Sequence, residues 1–180
     1  MPAERDGDVE LCAAAAAGDR RAFGSLVARH ERRLRAFLTH LAGADLADEL
    51  AQETFIRAWR AAGQFRGQSQ YASWLCSIGW RCFVDETRRR RSETRKRDAF
   101  AAVADRSQAA PAHAGVDLSR VLAALEPVER AALVLCDGHG WSHSEAAAIL
   151  RIPLGTLKGV VARAKQKCRT MLTVNDDERC

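Results

Sequence analysis

An all-α architecture of two small helical domains joined by a linker is predicted by three features of the 180-residue sequence. Apolar residues recur at three- and four-residue spacing along most of the chain, and no stretch shows the period-two alternation of a half-buried strand. The apolar content, 47% with only 6% aromatic, leans on alanine, the strongest helix former. Periodicity then lapses over residues 93–116, which include Ser107-Gln-Ala-Ala-Pro-Ala-His-Ala-Gly115. That composition reads as a linker between domains at 8–92 and 117–174.

The helices can be placed in order. Asp19 caps a helix starting at Arg20, with Phe23, Leu26, Val27, His30, Leu34, Phe37 and Leu38 along its apolar side. Gly43 interrupts the pattern, and a second helix from about Asp45 sets Ala47, Ala51, Phe55 and Ala58 on one face and Asp48, Glu49, Gln52 and Arg60 on another. Gly63 and Gly67 bracket a polar loop that ends at Gln70. A third helix, predicted from Tyr71 to Arg91, carries Leu75, Ile78, Gly79 and Cys82 on one stripe. Ser77, Trp80, Arg81, Val84, Arg88 and Arg91 fall on the opposite side. Beyond the linker, Leu118 to Leu125 form a helix ended by Pro127, and Val128 to Cys136 form another ended by Asp137-Gly138. Ser142-His-Ser-Glu145 is a capping box for a short helix to Leu150, and the turn Arg151-Ile-Pro153 leads into a last helix with Leu154, Leu157, Val161, Ala164, Cys168 and Leu172 inward.

Composition excludes several classes. The longest apolar runs fall far short of the ~20 residues needed to span a bilayer. The acidic N-terminus (Glu4, Asp6, Asp8, Glu10) has no signal-peptide character, so no membrane insertion and a cytoplasmic location are expected. Six scattered cysteines without a C-x-x-C pair read as reduced thiols. The formal charge of +5 hides strong segregation. Residues 81–97 carry eight bases against three acids, for +5, and residues 151–169 carry six bases and no acid, for +6, which leaves −6 elsewhere. Acids without bases gather at Asp45, Asp48, Glu49 and Glu53. Two basic blocks imply two contacts with a polyanion, and the acidic patch implies a separate protein partner.

The short capped helix, tight turn and acid-free basic helix make a helix-turn-helix, whose second helix would bring Thr156, Lys158 and Arg163 to base edges or phosphates of duplex DNA. Trp80 and Arg81, with Arg88 and Arg91 on the same face, follow a Gly-bracketed loop flanked by Phe65 and Tyr71. Stacking rings beside a basic track suit unpaired DNA, because bases leave the duplex only where another surface receives them.

These residues also carry a family resemblance. Asp45-Leu-Ala-Asp-Glu-Leu-Ala-Gln-Glu-Thr-Phe-Ile-Arg-Ala-Trp59, Phe65-Arg-Gly, Tyr71-Ala-Ser-Trp-Leu-Cys-Ser-Ile78, Asp85 and Arg88-Arg-Arg-Arg91 resemble region 2 of extracytoplasmic-function (group 4) bacterial sigma factors. Leu122-Ala-Ala-Leu-Glu-Pro-Val-Glu-Arg130, Gly140-Trp-Ser-His-Ser-Glu-Ala-Ala-Ala-Ile-Leu150 and Pro153-Leu-Gly-Thr-Leu-Lys158 resemble region 4. The resemblance implies a promoter-specificity factor for core RNA polymerase, with no enzymatic activity and no cofactor. It assigns Asp48, Glu49, Gln52 and Glu53 to the polymerase clamp, with the flap as a further polymerase contact. Gly67, Gln68, Ser69, Gln70 and Tyr71 would capture a flipped base of the −10 element. Trp74, Ser77, Trp80, Arg81, Arg88 and Arg91 would hold the melted strand. Arg151, Thr156, Lys158, Arg163, Lys165 and Lys167 would contact the −35 duplex. An anti-sigma partner is expected.

The chain departs from the family pattern in two places. Trp80-Arg81 stands where Arg-Asn is usual, and Lys158-Gly159-Val160 where Lys-Ser-Arg is common, which predicts atypical −10 and −35 preferences. Two rival readings remain: a helix-turn-helix regulator that binds duplex promoters unaided, and a sensor whose thiols and histidines bind metal. For the second, Cys136, His139 and His143 offer three ligands without an evident fourth, and Cys168 and Cys180 are candidate redox sensors.

Overall fold

Capping decides where the helices begin. In the computed structural model, which describes residues 2–100 and 118–177 with side chains over 7–95 and 120–172, α1 (Pro2–Ala16) precedes α2 (Arg20–Ala42). The Asp19 carboxylate accepts the amides of Arg21 at 2.8 Å and Ala22 at 3.1 Å, as its place before Arg20 predicts. Gly43, at φ +81, ends α2 and turns the chain back into α3 (Ala44–Arg60). A single 3₁₀ turn, Ala62–Gln64, leads through the polar loop to α4 (Tyr71–Phe100).

The sequence predicts that α4 ends at Arg91; instead it runs to Phe100, past the expected domain boundary at 92. Its charged end carries its own helical support. Glu86 accepts Arg89 at 2.8 Å and Arg90 at 2.6 Å, and Glu93 accepts Arg89 at 2.9 Å, all at three- and four-residue spacing. These guanidiniums hold the Glu86 carboxyl down at about 2. The linker reading lies outside the described residues from 101 to 117.

Helices α2, α3 and α4 share a core of Leu26, Leu34, Phe37, Leu38, Leu50, Leu75 and Ile78, all 4% exposed or less. The second domain contains α5 (Leu118–Ala123), α6 (Pro127–Leu133), one π turn (Val134–Gly138), α7 (His143–Leu150) and α8 (Leu154–Asp177). Pro127 opens α6 as well as closing α5, since the first turn of a helix has no use for the missing N–H. The Ser142–Glu145 capping box forms as the sequence predicts, the Ser142 amide donating to Glu145 Oε2 at 2.9 Å. Arg151, at φ +56, makes the turn into α8 and is the one non-glycine residue at positive φ among those described.

The two domains pack on one another, and their buried apolar residues form one continuous cluster. Arg33 of α2 donates Nη2 to the His139 carbonyl at 3.2 Å and lies 4.4 Å over the Trp141 ring. Phe37 meets the His139 ring at 6.3 Å. From the other side, Arg130 donates Nη1 to the carbonyl of Leu41, in the last turn of α2, at 2.7 Å. Helix α7 lies against α4. Helix α4 thus meets α7 as well as α2 and α3, and Trp80, on the side opposite the core stripe, is only 9% exposed beside Phe83 at 7%.

Two outcomes follow for this junction. Arg33→Ala removes a cation–π contact and a charged hydrogen bond and is expected to cost about 2 kcal/mol in urea denaturation; an unchanged midpoint would contradict the junction. His139 is held neutral below its ordinary 6.5, chiefly by burial and then by Arg33 and His40. As pH falls below that value, the unfolded chain takes up this proton before the folded chain does, so stability declines on acidification. His139→Gln is expected to flatten the dependence of the urea midpoint between pH 7 and 5.

Candidate protein and nucleic-acid interfaces

Between α2 and α3 runs a groove of about 1030 Å³ with an apolar floor and a charged rim. Phe23, Phe55 and Trp59 build the floor, with Phe23 edge-on to Trp59 at 5.0 Å and to Phe55 at 6.4 Å. Asp45, Asp48, Glu49 and Gln52 stand along the rim, all exposed. Asp48 is paired with Arg35, whereas Glu49 has no ion pair among the described residues. Glu53 lies around the helix, half-buried and bonded to Arg57 at 2.7 Å; Arg57 also reaches Asp85 of α4 at 2.9 Å. Of the four residues that the resemblance assigns to the polymerase clamp, then, Glu49 and Gln52 are the freest. The apolar floor was not evident from sequence, where Phe23, Phe55 and Trp59 look like ordinary core positions.

The polar loop is pinned at both ends by aromatic rings. Phe65, Tyr71 and Trp74 contact one another with centroids 5.3, 5.3 and 5.4 Å apart, so residues 66–70 leave and return at one point. Gln68, Ser69 and Gln70 are exposed at its tip, and Gly67 turns it at φ +68. Tyr71 does not join them: its ring is 1% exposed, under His30 at 5.0 Å. Its position at the start of α4 put it next to the loop in sequence, while its ring is part of the core. Beside the loop, Arg57, Gln64, Trp74, Ile78, Arg81 and Asp85 line a cavity of about 360 Å³. Arg81 is half-buried there and donates Nε to the carbonyl of Ser77, itself half-buried, at 3.2 Å. Further along α4, Arg88 and Arg91 are exposed without ion pairs among the described residues.

In the helix-turn-helix, Arg151, Thr156, Lys158 and Arg163 are exposed. Lys165 is tethered to Asp137 at 3.0 Å and Lys167 to the buried Glu129 at 2.8 Å, so both are committed to their own domain. Lys167 holds the Glu129 carboxyl below the usual range despite its burial. Val160 is 4% exposed and packs inward, so the valine itself offers no outward contact.

Among the described residues, no group of three His, Cys, Asp or Glu side chains is gathered as a metal site. His139 is instead committed to α2, as above. Cys12, Cys76 and Cys82 are buried free thiols, and burial pushes Cys12 up to about 11 and Cys76 to about 12. Cys136 and Cys168 are half-buried and unbridged, and Cys180 lies outside the described residues. No helix among the described residues is long and apolar enough to cross a membrane.

Residues 26–93 match the family described as Sigma-70 region 2, and residues 116–168 match Sigma-70, region 4. The chain is 36% identical over 168 residues to the ECF RNA polymerase sigma factor SigM of Mycobacterium tuberculosis, covering 92% of this chain and 84% of that protein. It is 30% identical over 187 residues to the RNA polymerase sigma factor CnrH of Cupriavidus metallidurans, covering 96% and 98%. Two solved structures are similar. The sigma factor RpoE of Bartonella quintana, in complex with the anti-sigma factor NepR, superposes with TM-score 0.70 at 31% identity, over 84% of this chain and 97% of that one. CnrH in complex with the cytosolic domain of CnrY gives TM-score 0.69 at 31% identity, over 93% and 98%.

Tyr71 provides a test of the aromatic pin. Its hydroxyl is buried without a hydrogen-bond partner, while its ring carries the contacts. Tyr71→Phe removes only the desolvated group and is expected to leave stability unchanged or raise it by up to about 1 kcal/mol in thermal unfolding. Tyr71→Ala is expected to cost about 3 kcal/mol or more. Equal losses from the two would contradict the pin.

Proposed function

The chain belongs to the extracytoplasmic-function bacterial sigma factors, and from that premise we propose how its surfaces divide the work of initiation. Such a factor binds core RNA polymerase, directs it to particular promoters, helps open the DNA around −10, and is not an enzyme. The groove between α2 and α3 receives the polymerase clamp: its apolar floor takes the nonpolar side of a helix, and Glu49 and Gln52 meet polar or basic groups at the edge. The loop tip, Gln68 to Gln70, receives a base extruded from the −10 strand. The adjoining cavity, with Trp74 as a stacking wall and Arg81 as a donor, is large enough to accept it. Arg88 and Arg91 hold the phosphates of the melted strand downstream. Thr156, Lys158, Arg163 and Arg151 meet the −35 duplex, while Lys165 and Lys167 act mainly within their own domain. The work is done in the bacterial cytoplasm.

The observation that carries this reading is the pinned loop. An exposed polar tip held on an aromatic pin, beside a base-sized cavity and a basic track, offers binding energy only to DNA whose base has already left the stack. Promoter opening follows as a shift of equilibrium, because the protein binds the melted form better than the duplex. A regulator that binds duplex promoters unaided would use α8 alone, and neither groove nor loop would serve it. Control by an anti-sigma factor is supported by two similar proteins, RpoE with NepR and CnrH with CnrY.

Glu49→Lys tests the docking assignment, since Glu49 is exposed and forms no ion pair within the described fold. Affinity for core polymerase is expected to fall about tenfold or more, equivalent to about 1.4 kcal/mol, with the unfolding midpoint unchanged. Undiminished affinity would remove the groove from the polymerase interface.

A further inference from the structure

Helix α1 lies outside the segment that matches the region 2 family, yet it is bound to the back of the −10 loop. Its anchor to the bundle is Asp8, only 5% exposed, whose two carboxylate oxygens engage Arg29 Nη1 at 2.5 Å and His30 Nε2 at 2.9 Å. The His30 ring in turn leans on Tyr71, one of the three rings that pin the loop. One turn further on, Cys12 Sγ donates to the Ala62 carbonyl at 3.4 Å, in the 3₁₀ turn that feeds the loop. Between these attachments stands Val9. A Cβ built on Gly67 would lie 2.8 Å from Val9 Cγ2, closer than two carbons can approach, and 3.8 Å from Cγ1. Gly67 is thus seated against Val9 with no room for a side chain, at a positive φ that glycine adopts without strain. Valine suits the task, because its branched side chain has few rotamers and cannot yield easily.

We propose that α1 is a positioning element for promoter discrimination: Val9, held in place by Asp8, is the rear wall that fixes Gly67 and with it the stance of Gln68, Ser69 and Gln70. The inference rests on the reading of this loop as the receiver of an extruded base. A loop pinned only at its ends by Phe65, Tyr71 and Trp74 could rock about that pin; Val9 removes this freedom. Preorganisation of this kind strengthens binding of the matching base and raises the cost of the others.

The geometry sets up a double-mutant cycle. Gly67→Ala drives a methyl group into Val9 and displaces the loop. Val9→Ala withdraws both Cγ atoms and leaves Cβ at 4.0 Å, ordinary contact distance, so the double variant relieves the clash with the added methyl group, while the strain of alanine at this positive φ is common to both chains that carry Gly67→Ala. The assay uses the full chain with core polymerase on a promoter recovered by transcription selection from a randomised −10 library, with each of the four bases then placed at each −10 position. Gly67→Ala is expected to reduce the ratio of open-complex formation between best and worst base at the captured position by about tenfold. Val9→Ala alone should reduce it several-fold, the isosteric Val9→Thr should preserve it, and the double variant should discriminate measurably better than Gly67→Ala by the part of the loss that comes from the clash. Affinity for core polymerase and discrimination at −35 should not move, which separates positioning from loss of fold. The proposal is overturned if the double variant discriminates no better than Gly67→Ala, or if Val9→Ala matches the unaltered chain. Gln68→Ala and Gln70→Ala test the underlying reading separately: if neither changes discrimination at any −10 position, the loop does not receive the base and both readings fall.

Discussion

The amino-terminal bundle depends on how closely α4 approaches α2 and α3 at Gly79. A Cβ at that position would lie 3.1 Å from Leu34 Cδ1 and 3.5 Å from Thr54 Oγ1, so a side chain there would press on Leu34, and glycine lets the three helices meet closely. Thr54 fits at this crossing because its hydroxyl is already satisfied by the Leu50 carbonyl at 2.6 Å and needs no further partner. With the crossing fixed, Tyr71 at the start of α4 is carried under His30, the loop is pinned, and the basic end of α4 projects beyond the bundle. The proposed site is therefore a consequence of core packing, and its exposed residues near the loop are few because the first half of α4 serves the core.

Electrostatics then separates the surfaces. Acids and bases that would interfere across the bundle are neutralised locally: Arg57 ties Glu53 to Asp85 between α3 and α4, and Glu86 and Glu93 offset Arg89 and Arg90. Among the described residues of these faces, those left without ion pairs include Asp45 and Glu49 at the groove and Arg88, Arg91 and Arg95 on the far part of α4. A net charge of +5 is thereby divided into one acidic face and two basic ones. The same economy operates in the second domain, where Glu129 and Asp137 engage Lys167 and Lys165 and leave Lys158 and Arg163 facing outward.

Local signals were legible in the sequence. Asp19, Gly43, the Ser142 capping box and the break near Gly63 mark helix ends through chemistry confined to a few residues, and the structure has helix ends at each. The segregated charge likewise identified the candidate faces. Features that depend on long-range packing were not legible. Trp80 lies opposite the core stripe and looked free, yet it is buried in a fold where α7 also packs against α4, and no pattern within α4 announces a second neighbour. Tyr71 adjoins the loop in sequence and the core in space. Lys165 and Lys167 read as outward bases, while their acidic partners lie 28 and 38 residues away. Helix α4 outran its predicted end because ion pairs sustain a polar helix that lacks an apolar stripe. The service of Val9 to Gly67 across the fold had no sequence signal at all.

The most direct test is run-off transcription from genomic fragments with core RNA polymerase, in the presence and absence of this chain. The account predicts that a set of promoters fires only when the chain is present, and that replacing the loop tip, Gln68 to Gln70, with alanine suppresses initiation on duplex templates far more than on templates already melted at −10. If core polymerase with the chain initiates no more than core polymerase alone on any fragment, the division of surfaces described above is contradicted.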